Sequence, residues 1–169
     1  MIAIKMLKQK DFMTKILATD IFDFFLVNEI TIETYNTFNI NGKINKEFYN
    51  DSALDDKAES SVNADKYSNW STLRSVCLNL IKGKRTPLCF KFVFYLDDAH
   101  KSKLISENEI GILPEQVVLG LNIKYANGEM VLTTGTAYNI FTLDKELEKA
   151  WDNYIPGFLA KNNIEYELL

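Results

Sequence analysis

The dipeptide Asn127-Gly128 lies between two runs in which apolar and polar residues alternate, inside the stretch Gln116 to Leu143. Asn-Gly is the preferred centre of a two-residue hairpin turn, because both residues tolerate the positive φ that such a turn needs. A turn there sets Tyr125 opposite Met130, Ile123 opposite Leu132 and Leu121 opposite Thr134. These six then share one face, and Asn122 and Lys124 fall opposite Thr133 and Val131 on the other. A slip of one residue would turn every apolar side chain to the wrong face, so turn and pattern must agree, and here they do.

The rest of the chain reads as further strands and helices around this hairpin. Ile2 to Leu7 has the pattern of a short strand, and Asp11 is placed to cap a helix that turns Phe12, Ile16 and Leu17 inward and ends near Thr19-Asp20. From Phe25 to Ile40 the pattern has period two, with Leu26, Ile30, Ile32, Phe38 and Ile40 on one face. Asn41-Gly42 offers a second hairpin turn into Lys43–Tyr49, although Ile44 would then face away from Phe38 and Ile40. Tyr67, Trp70, Leu73, Cys77, Leu80 and Ile81 recur at helical spacing, with Gly83 and Pro87 as stop signals. Leu88 to Leu96 reads as a strand carrying Phe90, Phe92, Phe94 and Leu96 on one face.

Asp97 or Asp98 then caps a short helix that buries Leu104 and Ile105. Beyond the organising hairpin, Gly135 predicts a bulge or bend leading to a third strand over Tyr138 to Phe141. Thr142 is the expected cap of a last helix carrying Leu143, Leu147, Ala150, Trp151, Tyr154 and Phe158 on one stripe, which Pro156-Gly157 should kink or end. This order predicts a single α+β domain over residues 1–169, an antiparallel sheet with helices packed mainly on one side.

Charge separates one segment from the others. The chain of 169 residues has a net charge of −4, but Glu47 to Asp65 alone holds six acids and one base. That local charge of −5 leaves +1 elsewhere, so the surface as a whole is not built to cling to nucleic acid. Residues 50–65, with no aromatic residue, read as a mobile acidic loop. Lys5, Lys8 and Lys10 interrupt the place where a signal peptide needs its apolar core. No uncharged apolar run reaches the roughly 18 residues of a membrane span. Cys77 and Cys89 have no CxxC neighbour and read as reduced thiols of a cytoplasmic protein.

Few residues carry a chemical signature. His100 is the only histidine, which removes multi-histidine metal sites, and its polar surroundings make it a solvated helix residue. Asp97-Asp98 is explained by capping and Asp55-Asp56 by a solvated loop. Lys82-Gly83-Lys84-Arg85-Thr86 is not a P-loop, because position 79 is Asn and Pro87 and a strand follow. Its three charges, Lys82, Lys84 and Arg85, are nevertheless the best local anion-binding candidate, weighed against simple neutralisation of the preceding helix end. Phe90 to Tyr95 partly echoes an RNA-recognition strand, but Leu88, Cys89 and Lys91 stand where that motif needs other residues.

Three stretches resemble an uncharacterised bacterial family, a domain of unknown function of about this length. They are Phe22 to Tyr49, Trp70 to Phe94 with Leu-Ile-Lys-Gly-Lys-Arg-Thr-Pro-Leu, and Leu119 to Trp151 with Thr-Gly-Thr and Phe-Thr-Leu-Asp-Lys. The resemblance implies no catalytic or binding residue. The order of elements also resembles one repeat of a DNA sliding clamp, which would place Lys10, Lys15, Lys101 and Lys103 toward DNA. Three expectations follow. The first is a non-catalytic binding or interaction module without cofactor or metal, its partner a protein or a second copy. The alternative is a clamp-like DNA-associated protein, and the third is a small-molecule enzyme with a carboxylate or Cys77-based site.

Overall fold

A computed structural model describes residues 1–50 and 66–169. Seven strands form one antiparallel sheet: β1 (Ala3–Met6), β2 (Phe25–Glu33), β3 (Thr37–Asn41), β4 (Cys89–Leu96), β5 (Val117–Ala126), β6 (Glu129–Tyr138) and β7 (Tyr166–Leu168), in the order β3-β2-β4-β5-β6-β1-β7. Four helices of ten or more residues accompany it: α1 (Gln9–Ala18), α2 (Trp70–Ile81), α3 (Asp98–Glu107) and α4 (Glu146–Lys161). Each of these four helices contributes buried residues to the same apolar cluster as one face of the strands, so the molecule is α+β with these helices on the inner face. The predicted acidic loop lies outside the described residues over 51–65.

The β5–β6 hairpin forms in the expected register, with Tyr125 opposite Met130, Ile123 opposite Leu132 and Leu121 opposite Thr134. Asn127 (φ 53°) and Gly128 (φ 78°) supply its two positive φ values. Phe90, Phe92 and Phe94 of β4 point inward beside it, and Trp70 of α2 closes over Phe92 and Phe94 at 5.3 and 5.0 Å between ring centroids. Both buried indoles have a partner, as a desolvated N–H requires. Trp70 Nε1 donates to the Ile16 carbonyl (2.8 Å) and Trp151 Nε1 to the Gly120 carbonyl (2.9 Å).

Several local expectations are corrected. Asn28 is a bulge residue, since Val27 faces Phe94 while Glu29 faces Val93. The bulge inverts the parity of β2, so Phe25 and Val27 join Ile30 and Ile32 in the core, and Leu26 turns to the other face. Asn41-Gly42 makes no hairpin. Gly42 is buried against β2 instead, its N–H donating to the Asn28 carbonyl (3.0 Å) and its carbonyl accepting from Ser68 N (2.8 Å). Gly135 is no bulge, because it pairs with Gly120 in an unbroken ladder to Tyr138. No third strand follows over Tyr138 to Phe141.

The helices shift in detail as well. Helix α1 begins at Gln9, so Asp11 lies in its first turn, where it favours the dipole rather than capping. Helix α4 begins at Glu146, after Thr142 and Asp144 have turned the chain, and Leu143 is left exposed. It continues through Pro156 to Lys161, because Leu147, Trp151, Ile155 and Leu159 bury one continuous stripe against the sheet. That burial, about 1.5–3 kcal/mol per large apolar side chain, offsets the donor that proline removes.

Candidate functional site

At one end of the sheet the tip of the β2–β3 hairpin meets the C-terminal end of α2. Glu33 and Thr37 close the hairpin, and Thr34-Tyr35-Asn36 form its tip with Thr34 N donating to the Asn36 carbonyl (3.0 Å). Helix α2 stops after Ile81, where Lys82 leaves helical geometry (ψ 140°). The connection to β4 then runs past the hairpin tip, and Leu88 N donates to the Glu33 carbonyl (2.9 Å), which fixes the loop's end to the end of β2.

A cavity of about 350 Å³ opens between these pieces, lined by Thr34, Tyr35, Leu80, Ile81, Leu88 and the run Lys82 to Thr86. It holds Lys82, Lys84 and Arg85 together, and no lining residue is an acid. None of the three basic side chains makes an ion pair or hydrogen bond among the described residues; the end of α2 is met instead by the Lys82 backbone N–H, which donates to the Leu78 carbonyl (2.8 Å). Thr34 is also in the lining, and its hydroxyl is sealed from solvent without a hydrogen-bond partner. Such a group is costly unless something supplies the missing bond. The cavity therefore gathers unpaired positive charge with no acid to offset it, which an oxyanion can use.

Comparison with known families gives one result. A profile of the family of unknown function DUF5721 matches residues 15–167. The chain belongs to DUF5721. The expected membership of a family without assigned activity thus holds over nearly the whole sequence. No curated protein and no solved structure matches this DUF5721 chain, so the clamp likeness gains no support from either comparison.

The other candidate residues of this DUF5721 protein are scattered. Lys10 is exposed on α1, whereas Lys15 is tied to the Asn162 and Asn163 carbonyls at the end of α4. Lys101 is 7% exposed, its ammonium held by the Val117 carbonyl (3.1 Å) and Asp98 Oδ1 (2.8 Å). Lys103 is exposed and lies 3.8 Å from Glu107. The four do not form one free basic face.

Cys77 is fully buried, and burial pushes its thiol up to about 12. Cys89 is partly buried and is raised by burial and by a hydrogen bond with Glu33. Both are free of disulfides. His100 stacks on Phe24 (4.3 Å), and its Nδ1 lies 2.7 Å from Asp97 Oδ1, the same oxygen that accepts from His100 N and caps α3. This pair is explained by helix capping. Among the described residues no group of three His, Cys, Asp or Glu side chains is placed to hold a metal ion, and no helix is long and apolar enough to cross a membrane.

The Lys82-Lys84-Arg85 group was legible from sequence, but Thr34 and Tyr35 were not. In a hairpin the paired residues share a face, so Ile32 and Phe38, as well as Ile30 and Ile40, keep even spacing across the turn. An uninterrupted period of two therefore hid the tip. Asn36, a turn-forming residue within that run, was the available signal.

Proposed function

We propose that this protein is a non-catalytic cytoplasmic binding module that recognises an oxyanion-bearing ligand in the cavity between the β2–β3 tip and α2. The observation that carries this reading is the cavity's gathering of three basic side chains without an ion-pair partner and without an acid in its lining. Arg85 offers the planar fork that matches phosphate and carboxylate, and Lys82 and Lys84 add point charges. The lining contains no carboxylate, thiol or imidazole to serve as general base or nucleophile, which favours binding over turnover. The free cysteines support a reducing compartment.

The two alternatives draw less from the geometry. Duplex binding would rely on Lys10, Lys15, Lys101 and Lys103, of which Lys15 and Lys101 are already held by backbone carbonyls. A Cys77-based enzyme would need a thiol far more acidic than burial permits.

The test is a titration with inorganic phosphate and pyrophosphate, followed residue by residue through amide NMR shifts. Perturbations should cluster at Thr34, Tyr35 and residues 82–88, and should weaken as salt rises. Lys84→Ala combined with Arg85→Ala should reduce affinity about tenfold or more, since charge-assisted bonds contribute strongly, while the melting temperature stays unchanged. Shifts spread over the surface, or binding indifferent to the double substitution, would remove the proposal.

A further inference from the structure

The cavity is not uniformly polar. Besides the bases, its lining holds Leu80, Ile81, Leu88 and Tyr35. Tyr35 is 81% exposed and Leu88 72% exposed. The Tyr35 ring is braced edge-to-face by Phe38 at 5.7 Å, so it is held at the rim with much of its surface open. Oxyanion binding accounts for Lys82, Lys84 and Arg85, but it leaves these apolar and aromatic side chains without a role.

A ligand that uses both sets of lining side chains carries a phosphate and a flat apolar group on one small frame. Exposed tyrosine rings and arginine planes are the surfaces on which nucleobases stack. A volume of about 350 Å³ lies near the lower end of the range for small-molecule sites, roughly 300–1,000 Å³, which suits a single nucleotide. We infer that the cavity takes a nucleoside monophosphate, its phosphate on Lys82, Lys84 and Arg85 and its base against Tyr35 and Leu88. This rests on the oxyanion reading above. The shared chemistry is a 5′-phosphorylated nucleoside, met either free or at the end of a nucleic-acid strand.

The experiment compares four probes by calorimetry: inorganic phosphate, ribose 5-phosphate, phenyl phosphate and a nucleoside monophosphate. The nucleoside monophosphate should bind about tenfold more tightly than the other three, the increment expected of one stacked base. Tyr35→Ala, an exposed position, should erase that increment and leave the affinity for inorganic phosphate in place. Equal affinity for all four, or indifference to Tyr35→Ala, would overturn the nucleoside assignment while the oxyanion site stands. No binding of any phosphate would overturn both. A 5′-phosphorylated oligonucleotide that binds more tightly than the free nucleotide, and loses that advantage without its 5′-phosphate, identifies the strand end as the source. An oligonucleotide that binds no better identifies the free nucleotide.

Discussion

Two Asn-Gly dipeptides in this chain meet opposite fates. Asn127-Gly128 makes the tight turn between β5 and β6, and Gly128 stands in open space, with nothing within 4 Å of an added Cβ. Asn41-Gly42 makes no such turn, and a Cβ on Gly42 would lie 1.8 Å from the Val27 carbonyl oxygen. The first glycine is needed for its backbone angle and the second for its missing side chain. The flanks decide between them. Around Asn127-Gly128 the apolar rows match across the turn, whereas a turn at Asn41-Gly42 would send Ile44 away from Phe38 and Ile40. The chain instead passes close against the Asn28 bulge.

The largest consequence of this difference should appear in Gly42→Ala. The obstructing atoms are backbone and cannot swing away, so the expected loss in urea denaturation exceeds about 3 kcal/mol, and failure to fold is consistent with it. A loss below about 1 kcal/mol would mean that the two strands do not approach so closely. Gly128→Ala should cost roughly 1–2 kcal/mol, the strain of a positive φ without a clash. If the two substitutions proved equal, the contrast between shape and angle would collapse. The smallest effect belongs to Asn41→Ala. It removes the 2.9 Å bond from Lys43 N to Asn41 Oδ1 at an exposed site, worth about 0.5–1 kcal/mol in the same assay. A larger loss would show that the side chain, rather than the close approach of Gly42, sets the path out of β3.

The basic group of the candidate site shares this history. Lys82, Lys84 and Arg85 were visible because they are adjacent in sequence and follow a helix stop. Thr34 and Tyr35 were invisible because the β2–β3 tip preserves the two-residue period from Ile32 to Phe38. Lys101 misled as well. The clamp likeness would turn it toward DNA, yet its ammonium donates to the Val117 carbonyl and the residue is buried.

Local chemistry fixed what depends on neighbours along the chain: the β5–β6 register, the inward phenylalanines of β4, the Asp97 cap and the helical stripes of α1 and α2. Those features follow from turn angles and side-chain periods, which act over a few residues. Tertiary structure alone decided the placing of β4 between β2 and β5, and of β1 between β6 and β7. It also decided the survival of α4 through Pro156 and the joining of Thr34 to the α2 terminus. These depend on which apolar surfaces are buried together, and that burial outweighs local preference wherever the two disagree.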